Sequence, residues 1–275
     1  MTDNKQAIKV AILDLYNGTA NKAIGGFEKI LEQYRLLKNV ELAWEVFDVR
    51  KSNQLPDTSF DIYISSGGPG NPYSEAEEWD KNYFKLVDEL FEHNASPEKP
   101  KKHVLFVCHS FQLMCRQYKL GEVSLRNISS FGVVKVDFVH GGNEDVMFKG
   151  LSDPFYAVDS RSWQVINPDI DAFKKMGASL LAIERDRGDD LPRGLMAIRF
   201  SDYFIATQFH PEVAPDIMQI RLLMDDNKRD VIAEYGEGGY RLMLDEVYDE
   251  GKLMHAYNTI IPNFLNEAIN HARGI

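Results

Sequence analysis

Residues 8–15 are mostly apolar, end near the turn-forming pair Asn17-Gly18, and lead into an amphipathic helical stretch over residues 20–37. The same rhythm continues, with apolar runs at 41–49, 60–65 and 103–107 and a helical pattern at 75–93. Short runs with so few polar positions need cover on both faces, and alternation with helices supplies it. The pattern predicts an α/β fold with a mostly parallel central sheet and helices on both of its faces.

The polar segment 94–102, with two prolines and four lysines or glutamates, cannot continue a helix and reads as a surface connection into the run at 103–107. A short helix to about residue 118 is followed by β-rich sequence at 132–139, 155–159, 179–184, 195–200 and 203–209. Gly141-Gly142 and Gly188-Asp189 supply turn signals between these runs. From Pro215 the pattern becomes helical and charged, over 216–235 and 240–270, with an interruption expected near Gly251 or Pro262. Residues 1–214 are thus expected to form one domain and 215–275 a C-terminal helical appendage packed on or beside it. Its apolar positions, such as Leu253, Ile260, Ile261, Phe264 and Leu265, suit either a cover over the sheet or a docking surface for a partner.

With 275 residues, 44% of them hydrophobic, the chain can bury a substantial core. Its formal charge of -11 argues against nucleic acid as a partner, because phosphate recognition needs clustered Lys and Arg. No polybasic membrane patch occurs. The polar opening residues offer neither a signal peptide nor a transmembrane segment, so a cytoplasmic location is expected. Only Cys108 and Cys115 are present, without a His or Cys cluster, which predicts neither a disulfide framework nor a metal site. No phosphate-binding Gly-x-x-x-x-Gly-Lys-Ser/Thr motif is found, and no cofactor is called for.

Three segments carry chemistry, each at the C-terminal end of an expected strand. In Phe106-Val107-Cys108-His109-Ser110-Phe111-Gln112 the cysteine stands between strand and helix, where a sharp turn exposes its sulfur near the positive helix N-terminus. A buried structural cysteine would fit the same place. In Ser65-Ser66-Gly67-Gly68-Pro69-Gly70 the glycines allow backbone N–H groups to approach a substrate oxygen, although a plain turn has the same composition. In Phe209-His210-Pro211-Glu212 an imidazole that exchanges protons near neutral pH has a carboxylate two residues away to orient it.

Gly67-Gly68-Pro69-Gly70, Cys108 with Gln112, and His210-Pro211-Glu212 resemble, in order and spacing, the class I or triad-type glutamine amidotransferases, including the glutaminase domain of GMP synthase. The resemblance spans residues 8–214 and implies a flavodoxin-like sheet and a Cys108, His210, Glu212 triad. It implies a γ-glutamyl thioester on Cys108, an oxyanion hole from the Gly68 and His109 N–H groups, and glutamine as substrate. Gly67, Gln112, Ser160 and Arg161 correspond to substrate-contacting positions, with Arg161 suited either to the glutamine α-carboxylate or to a solvated loop. The resemblance also implies a separate synthetase or acceptor protein for the ammonia. A γ-glutamyl hydrolase or acyl transferase would use the same thioester, and a non-catalytic binding protein would need no thioester at all. The family's elbow reads Gly-x-Cys-x-Gly, whereas Phe106 and Ser110 hold the glycine positions here.

Overall fold

The computed structural model describes residues 7–19, 23–139, 141–186, 191–249 and 251–274. The start of the helix expected at residue 20 and the Gly188-Asp189 turn lie outside them. In chain order the elements are β1 (Ile8–Asp14), α1 (Ala23–Lys38), β2 (Leu42–Asp48), α2 (Val49–Ser52), β3 (Ile62–Ser65), α3 (Glu78–Ala95), β4 (His103–Val107) and α4 (His109–Tyr118). They continue with β5 (Glu122–Phe138), β6 (Phe155–Ile166), α5 (Ile170–Met176), β7 (Ser179–Glu184), β8 (Leu195–Ser201), β9 (Phe204–Thr207), α6 (Pro215–Leu222), α7 (Asp225–Tyr248) and α8 (Leu253–Arg273).

The nine strands found among the described residues form one sheet in the order β2-β1-β3-β4-β9-β8-β7-β5-β6. The central region from β2 to β9 is parallel, as the alternation predicts. Beyond β9 the pairings turn antiparallel. Successive residues of a strand serve opposite faces, and both faces are dry. Val10, Ile12, Leu105 and Val107 join a core with α1 and α8, while Ala11, Leu13, Val104 and Phe106 join a second core with α3 and α4.

Ile260, Ile261, Phe264 and Leu265 of α8 are buried in the same core as Phe27 and Leu31 of α1. A third core places Met218 and Leu222 of α6 and Tyr240, Met243 and Val247 of α7 against Phe131, Val133 and Val158 of β5 and β6. Gly132 permits this approach, since a Cβ there would stand 2.4 Å from Met243 Sδ. Helix α7 is kinked at Gly236, where φ is 72° and ψ 171°, close to the expected division between residues 235 and 240; a further break comes between Tyr248 and Leu253, and α8 runs on through Pro262. Strands β5 and β6 are much longer than the runs at 132–139 and 155–159 suggested. Helix α5 was not anticipated, although Asp169 caps its N-terminus and Gly177 its C-terminus. Among the described residues no helix is long and apolar enough to cross a membrane.

Candidate active site

Strands β1, β3, β4 and β9 end at one edge of the sheet, where open parallel sheets bind ligands. Cys108 follows β4 directly and has φ 52° and ψ -99°, a conformation that L-residues adopt only under strain. The turn reverses the chain from strand into α4 within one residue and presents Sγ above the sheet edge. His109 is the first residue of α4, so its N–H has no intrahelical acceptor and remains available at the positive helix end.

Phe106 and Ser110 have separate physical explanations. Phe106 points to the α3–α4 side, where its ring packs 6.2 Å from Phe200 and 6.1 Å from Phe204 between centroids. It therefore fills the core beneath the elbow. Ser110 Oγ accepts a 2.7 Å hydrogen bond from the Val107 N–H and lies 2.8 Å from the Ser65 carbonyl, to which it donates. Its hydroxyl ties β3 to β4 at the end of their ladder.

The loop after β3 lies beside the cysteine. A Cβ on Gly67 would stand 2.9 Å from His210 Cε1 and 3.4 Å from Cys108 Cβ, and one on Gly68 would stand 2.3 Å from the Leu15 carbonyl oxygen. Only glycine fits at either position. Two arginines hold this loop. Arg50 Nη1 donates to the Leu15 and Pro69 carbonyls at 3.1 and 2.5 Å. Arg116 donates to the Pro72 carbonyl and forms a buried two-pronged pair with Asp80 at 3.0 and 3.1 Å.

His210 follows β9 and is fastened to β6 by a 2.8 Å bond from its N–H to the Val158 carbonyl. Its Nδ1 lies 2.7 Å from Glu212 Oε1, and both side chains are buried. Burial opposes the imidazolium, but the charges of Glu212 and Cys108 and hydrogen bonds to both outweigh it and hold the His210 pKa well above 6.5. Gly26 of α1 backs this segment, since a Cβ there would meet the Glu212 carbonyl oxygen at 2.6 Å.

A cavity of about 770 Å³ joins these groups, with Gly68, Cys108, Ser160, His210 and Glu212 in its wall. Ser160 is in β6, and its carbonyl oxygen lies 3.8 Å from Cys108 Sγ. Gln112 and Arg161 are buried outside that wall. The Gln112 amide donates to the Trp163 carbonyl at 3.1 Å and to Gln208 Oε1 at 3.2 Å, joining α4 to β6 and β9. Arg161 pairs with Asp159 at 2.8 Å and Glu184 at 3.2 Å. The His109 ring is buried without a hydrogen-bond partner, and its pKa is pushed down to about 3 by burial and by Arg50 and Arg116. It is neutral.

The sequence-based reading passed over Tyr16 and Arg221, which also line the cavity. Burial, followed by the charges of Glu212 and Cys108, raises the Tyr16 pKa, so its phenol remains a hydrogen-bond donor. Its place just after β1 was the available signal, because that strand ends at the ligand-binding edge. Arg221 had no such signal.

Among solved structures, a glutamine amidotransferase from Thermotoga maritima is 16% identical, with 96% of this chain and 99% of that one covered and a TM-score of 0.66. The Trypanosoma brucei CTPS glutaminase domain is 14% identical over 98% and 94% of the two chains, with a TM-score of 0.60. A protein from Thermoplasma acidophilum, described as one of the subunits of GMP synthase, is 18% identical over 98% and 97%, with a TM-score of 0.54. At these identities the likeness is one of fold. No curated protein matches in sequence. The family model described as glutamine amidotransferase class-I matches residues 25–228, a span that includes the elbow, the glycine loop and the His-Pro-Glu segment. The chain therefore belongs to the class-I glutamine amidotransferase family.

Proposed function

We propose that the chain cleaves the side-chain amide of glutamine through a γ-glutamyl thioester on Cys108. The observation that carries this reading is the convergence of Cys108, in its left-handed turn, with the buried His210–Glu212 pair on one cavity. The Cys108 thiolate attacks the amide carbon, and the developing oxyanion is received by the Gly68 and His109 N–H groups. His210 gives a proton to the departing nitrogen and then takes one from the water that hydrolyses the thioester. Glu212 fixes the His210 tautomer and balances its charge. Gly67 leaves room for the imidazole, and Ser160 forms the wall beside the sulfur. Gln112 and Arg161 act one layer back, holding β6 in place.

Glutamate and ammonia are the products, with the ammonia passed to an acceptor on a separate synthetase in the cytoplasm. Purified protein incubated with glutamine, alone and with candidate synthetases, is expected to release glutamate, and acid quenching is expected to trap a γ-glutamyl group on Cys108. Absence of both overturns the proposal. A wider γ-glutamyl hydrolase activity is favoured by one observation, the extent of the cavity beyond the triad.

A further inference from the structure

The cavity continues past the reacting atoms into a lobe walled by Ile217, Ile220 and Met224 of the α6 segment and Tyr257 of α8. A volume of about 770 Å³ lies within the range that holds drug-sized ligands. Glutamine is far smaller and polar at both ends, so it has nothing to set against this apolar wall. Location matters as much as size. Val213 and Ala214, next in sequence to the His210–Glu212 pair, line the cavity between that pair and the α6 residues, and His210 is the group that protonates the departing nitrogen. A group attached to that nitrogen therefore has the α6 side of the same cavity available to it.

Arg221 supplies the second observation. It lines the same lobe, with its guanidinium carbon 4.9 Å from the centroid of the Phe131 ring, which restricts its orientation. Other buried or half-buried arginines have carboxylate partners, among them Arg116 with Asp80, Arg126 with Glu184 and Glu234, Arg161 with Asp159, and Arg199 with Asp145. Arg50, half-buried, is engaged by the Leu15 and Pro69 carbonyls. Arg221 has neither an ion pair nor a side-chain hydrogen bond to any described residue, although 42 acidic residues are present in the chain. Glu212 is near enough to feel its charge but directs Oε1 at His210. A guanidinium partly removed from water and left without a carboxylate is suited to an anion from outside, bound in two-pronged fashion.

We infer that the site takes γ-glutamyl amides whose amine half carries an apolar chain and a carboxylate, as in γ-glutamyl derivatives of apolar amino acids. Arg221 binds the carboxylate, and the α6 and α8 wall covers the chain. The inference rests on the Cys108 thioester reading. The Cys108 Sγ–carbon bond forms as the carbon–nitrogen bond breaks, with the His210 proton going to the amine. Water oxygen then bonds to the acyl carbon as the sulfur leaves, and one water proton returns to His210. The sum is amide plus water giving glutamate plus amine.

The test compares kcat/KM for glutamine, γ-glutamyl-leucine and γ-glutamyl-leucinamide, read as glutamate release by the full chain. γ-Glutamyl-leucine is expected to exceed its carboxamide analogue by about 10- to 100-fold, the size of one hydrogen-bonded charge. Arg221→Met is expected to bring this ratio to about one, and Arg221→Lys to retain part of it, since an ammonium keeps the charge without the fork. A wild-type ratio already near one, or one unchanged in Arg221→Met, overturns the inference. Cleavage of glutamine with γ-glutamyl-leucine left intact overturns it while sparing the thioester reading. Release from no substrate, with no acyl group on Cys108, overturns both.

Discussion

Replacing Ser110 with alanine tests whether the serine at the elbow is a structural bridge. In the parallel ladder of β3 and β4, the His103 N–H bonds the Asp61 carbonyl at 3.2 Å, and two further steps along each strand reach the Val107 N–H and the Ser65 carbonyl. The register of the two strands runs on to this last step, with Ser65 opposite Phe106. The Ser110 hydroxyl lies 2.7 Å from the Val107 donor and 2.8 Å from the Ser65 acceptor, in a fully buried position. Alanine removes both hydrogen bonds of a buried hydroxyl, at a cost of about 1–3 kcal/mol. For a chain of this size each kcal/mol lowers the melting temperature by roughly 2–4 °C.

The consequence extends to activity because β3 leads into Gly67 and Gly68 while β4 leads into Cys108. If loss of the hydroxyl lets β3 and β4 shift at this end, the oxyanion loop moves against the nucleophile, and a misplacement of about 1 Å is worth roughly 100-fold in rate. Thermal unfolding followed by circular dichroism, with glutamate release at saturating and subsaturating glutamine, reads both effects. The expected result is a lower melting temperature and a loss mainly in kcat. Ser110→Gly, which installs the residue usual in the elbow motif, loses the same bridge and is expected to be no better than alanine. Melting temperatures of both variants within about 1 °C of wild type would refute the bridge.

Cys108→Ala is expected to abolish glutamate release, by about 10⁴-fold or more, with folding intact, and measurable residual turnover at the wild-type rate would remove the thioester from the mechanism. Gly68→Ala places a methyl 2.3 Å from the Leu15 carbonyl oxygen, so the loop must shift; a fall in kcat of about 10²- to 10³-fold is expected, as for loss of one oxyanion donor. Glu212→Gln is expected to lower kcat by about 10²- to 10⁴-fold. Because the His210 pKa is raised, its imidazolium contributes stability fully present below pH 6.5 and lost as pH rises through the raised value. Denaturant unfolding of wild type and Glu212→Gln should then show a gap that narrows towards alkaline pH, and a widening gap would contradict the pairing. His103 behaves oppositely: burial, with His271 and Arg199, pushes its pKa down to about 3, so the unfolded chain takes up a proton that the native one refuses. Stability is lost as pH falls from 6.5 towards 3, and His103→Gln should flatten that slope.

The proposed triad was legible because each member is encoded locally, at the end of a strand whose apolar run is plain. Cys108 and His210 needed only β4 and β9 to be recognised, and Glu212 is two residues from its partner. The residues that shape the site from a distance left no such trace. Arg50 reaches Pro69 and Arg116 reaches Asp80 across loops and helices. Arg221 is an ordinary cation in a charged helical stretch until the chain folds α6 over the cavity. The elbow itself departs from its usual glycines because a core phenylalanine and a bridging hydroxyl meet the same geometric need by other means.

Arg161 shows how one strand boundary decides a role. With the strand ended at residue 159, Ser160 and Arg161 read as neighbours in a loop, both free to reach a substrate. In the fold β6 continues to Ile166, so side chains alternate between faces through this stretch. Asp159 and Arg161 then share one face and form a 2.8 Å pair, while Ser160 falls on the other, in the cavity wall. Only one of the two adjacent residues can face Cys108, and the alternation assigns that place to Ser160. In the proposed reading the arginine that meets a substrate anion is therefore Arg221, which lines the same cavity from α6 and forms no ion pair with a described residue, whereas Arg161 is held by Asp159.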